Sequence, residues 1–362
     1  MIPIVKPYIP PADVLMPALE KVIYSGYIAE GEVVKQFEQR FGDYIANPYA
    51  LSLNSGTAAL HIALILAGVK KGDEVISTPL TAEPTNVAIY QTGAKVVWAD
   101  IDYNTGILLA SDVEKKITLK TKAIMLVHYA GIVADMDSFT ALSQKYNIPI
   151  IEDAAHALGA KYKGKYIGDI SPYTIFSFQA IKHMTTVDGG MLMLNNQSAH
   201  DRGRLIRWFG LDKTKPRLEN DIQEVGYKYH MNNVNATVGL VQMDYLEDIV
   251  GQYIANGKYF DEKLANTEGV ELIDYYEGSE PSYWLYTMKV ERRADFIRMM
   301  NDKGISASEL HLRNDRHSLF KKAKTDLPNF ERFYTKMVHI PCGWWVNDET
   351  REQIVNAVKQ GW

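Results

Sequence analysis

The sequence has one cysteine, no excess of basic residues and no long apolar run, and each shortage excludes a class of protein. Cys342 has no second cysteine with which to form an intramolecular disulfide, and no Cys or His cluster near it suggests a metal site. The 362 residues contain 39 Lys and Arg against 44 Asp and Glu, a formal net charge of −5 with both signs interspersed. We therefore expect neither a bound metal nor a nucleic-acid partner.

The apolar segments are strand-sized or broken by polar residues, so the sequence predicts no membrane-spanning helix. The first residues, MIPIVKPYIPP, lack the basic, apolar and small-residue order of a signal peptide. These two features predict a cytoplasmic protein without a membrane partner. The chain is long enough for one large domain and a smaller one.

Short apolar segments alternate with helical patterns over the first two thirds of the chain. The predicted helices cover 14–23, 33–45, 58–64 and 138–147, and the predicted strands cover 73–78, 96–101, 122–128, 149–153, 174–178 and 189–194. This alternation predicts an α/β fold with a mainly parallel sheet. A long helical pattern begins near residue 235, and the pattern changes at about residue 250. We therefore predict a large domain over 1–248 and a smaller C-terminal α+β domain over 249–362.

Ligands of open α/β sheets bind beyond the carboxyl ends of the strands, so the residues after each strand carry the functional signal. Asn54, Ser55, Gly56 and Thr57 directly precede the helix predicted from Ala58. Free backbone N–H groups and the helix dipole make such a terminus an anion site. A simple N-cap by Ser55 or Thr57 accounts for the same residues and stays open as an alternative.

A carboxylate and a histidine come at the end of the strand predicted over 149–153. Asp153 ends the strand and His156 follows three residues later. A buried carboxylate needs hydrogen bonds or a cationic partner, and a protonated pyridine nitrogen is such a partner. An N-capping aspartate followed by a packed histidine is the alternative.

A lysine lies between the strand predicted over 174–178 and the pair Gly189-Gly190. Lys182 in this setting suggests a desolvated amine that forms a Schiff base with a carbonyl, although a solvated surface lysine is the alternative. Ser177, at the end of the preceding strand, is placed to donate to the same anion as the Gly56 region.

The motifs together resemble the DegT/DnrJ/EryC1/StrS family of fold-type I aminotransferases, which use pyridoxal phosphate and often aminate keto sugars attached to nucleotides. The resemblance covers most of residues 20–250 in the family's order. The matching segments are SGTAAL (55–60), GDEVIS (72–77), VHYAG (127–131), IEDAAHALGA (151–160), FSF with Lys and DGG (176–190), and GYKYHMNN (226–233).

The resemblance implies a role for each matching residue. Lys182 matches the Schiff-base lysine, Asp153 the partner of the pyridine nitrogen, and His156 the position that contacts the cofactor's phenolic oxygen. The phosphate cradle is matched by Ser55, Gly56, Thr57 and Ser177. Lys228 falls where many members have an asparagine that reaches the cofactor phosphate in the partner subunit, so the resemblance implies a homodimer with shared active sites.

Two departures from the family pattern point to a subgroup with its own substrate geometry. The segment 78–86 contains no aromatic residue, although members commonly place one over the cofactor ring; we expect Thr81 or Ala82 to cover that face. His230 stands where arginine is common.

The resemblance implies transfer of an amino group from L-glutamate to a keto sugar nucleotide, with a 4-keto-6-deoxyhexose in surface-polysaccharide, lipopolysaccharide or other glycan biosynthesis as the expected acceptor. Two alternatives stay open: transamination of a smaller, non-nucleotide keto compound, and a sugar dehydratase of the same family, whose members replace the lysine by histidine. A binding protein that keeps the fold without activity is disfavoured by the intact set of Lys182, Asp153 and Ser177.

The expected substrate contacts are Arg313 and Asn314, in the polar stretch 309–317, together with His183. A guanidinium offers a planar fork suited to a diphosphate or to sugar hydroxyls. A surface cluster of salt bridges is the alternative for Arg313.

Overall fold

The computed structural model describes residues 1–323 and 325–362, and these residues form a mixed α/β structure. The α-helices in them are α1 Ala12–Tyr24, α2 Glu32–Ile45, α3 Gly56–Leu66, α4 Glu83–Gln91, α5 Ala110–Lys116, α6 Met136–Tyr146, α7 Gln197–Ile206, α8 Asn233–Gln242, α9 Leu246–Leu264, α10 Arg293–Asp302, α11 Pro328–Lys336 and α12 Asp348–Lys359. The strands are β1 Ala50–Leu53, β2 Glu74–Ser77, β3 Lys95–Trp98, β4 Thr121–Val127, β5 Ile150–Asp153, β6 Lys161–Tyr162, β7 Lys165–Tyr166, β8 Tyr173–Ser177, β9 Gly190–Leu194, β10 Val270–Leu272, β11 Ser279–Glu280, β12 Tyr286–Val290 and β13 Met337–Ile340. In this part of the chain we find no helix with both the length and the apolar character needed to cross a bilayer.

The main sheet has seven strands in the order β1-β9-β8-β5-β4-β2-β3, which confirms the predicted α/β class and mainly parallel sheet. The strands from β8 to β3 are parallel to one another. The segment 189–194 was expected to be a parallel strand, and that expectation is wrong: β9 runs antiparallel to both β8 and β1. No α-helix lies between Ser177 and Gly190, so the chain returns beside β8 without the helical crossover that a parallel neighbour needs. That return loop carries Lys182.

Helix α3 is the central helix of the fold because almost every one of its faces is buried. Its sequence GTAALHIALIL is apolar all round, as expected of a helix enclosed on all sides. It packs on β8 and β9, with α4 and α7 beside it. This packing fixes the N-terminus of α3 beyond the carboxyl ends of the parallel strands.

The residues after 264 build a second sheet with its own apolar cluster. Strands β10, β12 and β13 form this antiparallel sheet. The long helical pattern predicted from residue 235 is two helices, α8 and α9, separated by residues 243–245. The first turns of α9 pack into the main core and its last turns into the second cluster. The domain division predicted at residue 248 falls inside α9 and stays a prediction.

Candidate functional site

A cavity of about 390 Å³ opens at the carboxyl ends of the parallel strands. It is bounded by the N-terminus of α3, the first turn of α4, the ends of β5 and β8, and one residue from the C-terminal third of the chain, His311. Seven of the residues predicted from the sequence line it: Ser55, Gly56, Thr57, Asp153, His156, Ser177 and Lys182. The fold thus brings together side chains that are up to 127 residues apart in sequence.

One end of the cavity is suited to an anion. Ser55 caps α3 by accepting a hydrogen bond from the backbone N–H of Ala58 at 3.1 Å, and the first backbone N–H groups of a helix have no partner inside it. Ser177 lies against this terminus: a side chain on Gly56 would meet Cβ of Ser177 at 3.1 Å. At Gly190 a Cβ atom would come within 2.6 Å of the Ser55 carbonyl, so glycine is required there. The helix dipole, N–H groups and a hydroxyl converge as in phosphate sites.

Asp153 is a buried carboxylate at the end of β5, only 5% exposed. It accepts hydrogen bonds from the Thr85 hydroxyl at 2.7 Å and from the backbone N–H of Ala155 at 3.1 Å. The single hydroxyl proton of Thr85 points to Asp153, so in the 2.8 Å contact between Thr81 and Thr85 the Thr81 hydroxyl is the donor. Burial raises the pKa of Asp153, and the hydrogen bonds and the charge of Lys182 oppose the rise. A cation placed in the cavity beside this carboxylate would hold it ionised.

Lys182 enters the cavity from the loop between β8 and β9. Its Nζ lies 4.0 Å from the centre of the Trp284 ring, and the Trp284 indole N–H donates to the carbonyl of Ile181 at 2.9 Å. Burial lowers the pKa of Lys182 to about 7, against the attraction of Asp153. A large fraction of Lys182 is therefore a neutral, nucleophilic amine near pH 7.

His156 is held as a neutral imidazole. Its ring stacks on Trp284 with a centroid separation of 3.9 Å, and burial lowers its pKa well below the usual value. Its Nδ1 accepts from the backbone N–H of Ala130 at 3.3 Å. A backbone N–H can only donate, so Nδ1 is unprotonated and Nε2 carries the ring proton. The contact of His156 with a phenolic oxygen stays a prediction, and this tautomer supplies the donor that it requires.

The groups that the sequence did not reveal include His311, which lines the cavity, and Trp284, which packs against Lys182 and His156 without lining it. Both follow residue 250, where the family motifs are weak, and no local pattern marks them. Thr81 and Ala82, expected over the cofactor ring, do line the cavity, and Glu83 lies beside them. Their place on a ring face stays a prediction.

Two of the three predicted substrate residues are enclosed elsewhere, and we correct the expectation of a direct contact. His183 is 1% exposed, and its Nε2 lies 3.0 Å from the carbonyl oxygen of Ser282. Asn314 is completely buried: its Nδ2 donates to the Thr81 carbonyl at 2.8 Å and its Oδ1 accepts from Asn86 at 2.9 Å. Asn314 therefore holds the cavity wall in place from behind.

Arg313 is also placed outside the cavity, with its fork already occupied. Its guanidinium makes paired hydrogen bonds of 2.5 to 2.7 Å with the carboxylates of Asp315 and Glu331. A diphosphate would have to displace both carboxylates. The structure thus favours the salt-bridge reading of Arg313.

Lys228 is exposed and does not line the cavity of its own chain. Its segment runs along the edge of β1, where His230 forms an isolated antiparallel β-bridge with Leu53. The Lys228 carbonyl accepts a hydrogen bond from the side-chain amide of Asn54 at 3.1 Å. Lys228 is therefore available to another molecule rather than to its own site.

Comparison with known proteins gives a consistent result along the whole chain. The profile of the DegT/DnrJ/EryC1/StrS aminotransferase family matches residues 13–359. The structure of AtS13 from Actinomadura melliaura is similar with a TM-score of 0.97 and 36% identity, covering 100% of this chain and 99% of that one. The sugar aminotransferase CalS13 from Micromonospora echinospora gives 0.96 and 35%, covering 100% of each chain. The spore coat polysaccharide biosynthesis protein SpsC of Bacillus subtilis is 29% identical over 357 residues, 94% of this chain and 92% of that protein.

Proposed function

The chain belongs to the DegT/DnrJ/EryC1/StrS aminotransferase family, and from this premise we propose that it moves the amino group of L-glutamate to a keto sugar nucleotide, with a 4-keto-6-deoxyhexose as the acceptor. It is a pyridoxal phosphate dependent sugar aminotransferase. The observation that carries the proposal is the position of Lys182, a cavity-lining amine whose pKa is lowered to about 7, in the same cavity as the buried carboxylate of Asp153. We further propose a cytoplasmic location and a role in lipopolysaccharide or another surface glycan.

The residues of the cavity fit pyridoxal phosphate. The N-terminus of α3 with Ser177 would hold the phosphate, since both line the cavity and the absence of a side chain on Gly56 lets Ser177 lie against that terminus. Asp153 would pair with the protonated ring nitrogen, and Lys182 would form the covalent link. When bound, the cofactor supplies an electron sink for the negative charge that develops at the carbon losing its proton.

Each protein group then has a definable task. Lys182, as a neutral amine, takes the proton from the Cα atom of the amino donor. The ammonium group formed in this way then gives the proton to the cofactor carbon that is bonded to the transferred nitrogen. Asp153 keeps a proton on the ring nitrogen. His156 would donate a hydrogen bond from Nε2 to the phenolic oxygen of the cofactor. A dehydratase is disfavoured because the side chain in the cavity is Lys182, whereas His183 is enclosed beside Tyr253.

A nitrogen-transfer experiment tests the proposal. The loaded protein is given ¹⁵N-labelled L-glutamate and a panel of keto sugar nucleotides, and the products are analysed by mass spectrometry. We expect one ¹⁵N atom in one amino sugar nucleotide and an equal amount of 2-oxoglutarate. Amination of only small, non-nucleotide keto compounds would instead support the open alternative and reject the proposed acceptor.

The lowered pKa of Lys182 predicts an unusual pH profile for cofactor capture. The rate at which cofactor-free protein binds pyridoxal phosphate covalently should rise through about pH 7 and level off above it, because the neutral amine is the nucleophile. A free lysine derivative, with its amine pKa near 10.4, serves as the control, and its reaction rate should keep rising up to about pH 10. A protein profile that follows the free amine would contradict the desolvated environment of Lys182.

We propose that the homodimer shares its active sites, and exposed apolar residues near the start of α8 support this. Tyr27 is 81% exposed and Val187 61% exposed. Both adjoin the start of α8, because Asn233 donates to the Tyr27 carbonyl and Asn235 to that of Thr186. We propose that this surface and Lys228 face the second subunit.

Mixing two inactive variants tests the shared site. Lys182→Ala and Lys228→Ala chains should each have low activity alone, and heterodimers should recover activity because one of their two sites receives both wild-type residues. Activity is measured after subunit exchange has been verified by mass spectrometry of differently tagged chains. Absence of recovery despite exchange would argue against a contribution of Lys228 to the neighbouring site.

A further inference from the structure

Among the described residues of the C-terminal third, His311 is the one that lines the cavity, and nothing in the family motifs of residues 20–250 accounts for it. We propose that His311 contacts the keto sugar near its reacting carbon and determines which sugar is accepted. This inference rests on the proposed function and assigns the sugar-binding role to His311 instead of Arg313, Asn314 and His183.

The backbone is strained in the way that brings His311 to the cavity. Leu310 has φ of 61°, the left-handed region that costs a leucine free energy and persists only where surrounding contacts enforce it. The enforcing contacts are visible: the Tyr334 hydroxyl donates to the His311 carbonyl at 3.0 Å, and buried Asn314 ties the segment to the Thr81 carbonyl. Strain that places one polar side chain in a cavity is a feature of binding sites more than of surface loops.

The ring of His311 has unused hydrogen-bonding capacity. Within the described residues, its Nε2 is buried and has no hydrogen-bond partner. An unsatisfied buried nitrogen is costly unless a ligand or water pairs with it. This capacity distinguishes His311 from Arg313, whose guanidinium is already paired with two carboxylates.

The charge state of His311 selects the kind of ligand. Burial and the charge of Lys182 lower the pKa of His311 to about 4, with Glu83 acting in the opposite direction, so the imidazole is neutral near pH 7. A neutral imidazole has one donor and one acceptor, which suits a hydroxyl or carbonyl group, whereas a diphosphate would favour a cation. The chemistry therefore indicates the sugar ring rather than the nucleotide's phosphates.

The position of His311 indicates the reacting end of the sugar. Its ring lies parallel to that of His156, with centroids 6.0 Å apart and an interplanar angle of 5°. His156 in turn stacks on the ring of Trp284, and Nζ of Lys182 lies 4.0 Å from the centre of that same ring. A sugar whose carbonyl approaches Lys182 would thus present a neighbouring substituent to His311.

The test separates the two half-reactions by single-turnover absorbance. His311→Phe keeps a planar ring and removes both nitrogens. We expect the keto-sugar half-reaction to lose roughly 10- to 100-fold in rate constant divided by apparent Kd, as for one lost hydrogen bond that leaves a polar partner buried, while the glutamate half-reaction stays within about threefold. His311→Gln, which keeps a donor and an acceptor, should come back to within about tenfold of wild type.

His200→Phe is the matched control, because the His200 ring also has a buried nitrogen without a hydrogen-bond partner among the described residues and does not line the cavity; both half-reactions should be unchanged. Equal losses in both half-reactions of His311→Phe, or no loss in either, would overturn the assignment, and so would a Gln variant as impaired as the Phe variant. If wild-type protein aminates no keto sugar, the proposed function fails; if it does and His311→Phe equals it, only this inference fails.

Discussion

Lys182→Ala is expected to bind pyridoxal phosphate without a covalent link and to transaminate at least about 10⁴-fold more slowly, since we propose that this one residue supplies both the attachment and the proton transfer. The absorbance of the covalently bound cofactor and the rate of 2-oxoglutarate formation measure the two effects. Lys182→Arg should be as inactive, because arginine places a permanent cation near Trp284 and offers no nucleophilic amine.

Lys161→Ala is the matched control for this prediction. Lys161 also lies over an aromatic ring, with Nζ 4.6 Å from the centre of Tyr166, and it is outside the cavity. Its replacement should leave attachment and turnover unchanged. Wild-type-like turnover by Lys182→Ala would remove Lys182 from the chemistry altogether.

Asp153→Asn is expected to slow turnover by several powers of ten while the protein still folds and binds the cofactor. The substitution nearly preserves volume but removes the charge that, in the proposed role of Asp153, keeps the ring nitrogen protonated. Loss of one main electrostatic group commonly costs two to three powers of ten or more. Thr85 and the backbone N–H of Ala155 both donate to this carboxylate, so an amide in its place also loses an acceptor. Half-reaction rates and the cofactor spectrum measure the effect.

A buried aspartate outside the cavity separates catalysis from stability. Asp100 caps the start of α11, where its carboxylate accepts from the backbone N–H groups of Asn329 and Phe330 at 3.0 and 2.8 Å. Asp100→Asn should lower the melting temperature and leave the rate per folded molecule unaltered. If Asp153→Asn behaved in the same way, with near-normal turnover, its carboxylate would be structural.

The part of the site that follows the parallel strands was predictable because local features specify it. Asp153, Ser177 and Lys182 each come at or just after a short apolar run, and strand ends gather at one edge of a parallel sheet. The strands and helices predicted around these residues are present in the structure, with their ends shifted by a few residues. The direction of β9 was not predictable from its composition, since a buried strand reads alike in both directions.

The contributions from beyond residue 250 depend on contacts between distant segments and left no local signal. Trp284 contacts Lys182, from which it is separated by 102 positions in the sequence. Glu331 accepts a hydrogen bond from the guanidinium of Arg313, 18 positions earlier. His183 was misplaced for a different reason: adjacent side chains in the loop point in different directions, and its ring turns toward Ser282 and Tyr253. A position next to Lys182 in the sequence thus carried no information about which side chains line the cavity.

The central claim, that Lys182 bears the cofactor in this cavity, is tested most directly by borohydride reduction of the loaded protein followed by peptide mapping. Reduction makes the link to the cofactor permanent, and mass spectrometry then locates the modified residue. We predict a single phosphopyridoxyl group on Lys182, absent from Lys182→Ala. A reduced adduct on any other lysine, or none on wild-type protein that has bound the cofactor, would contradict the account.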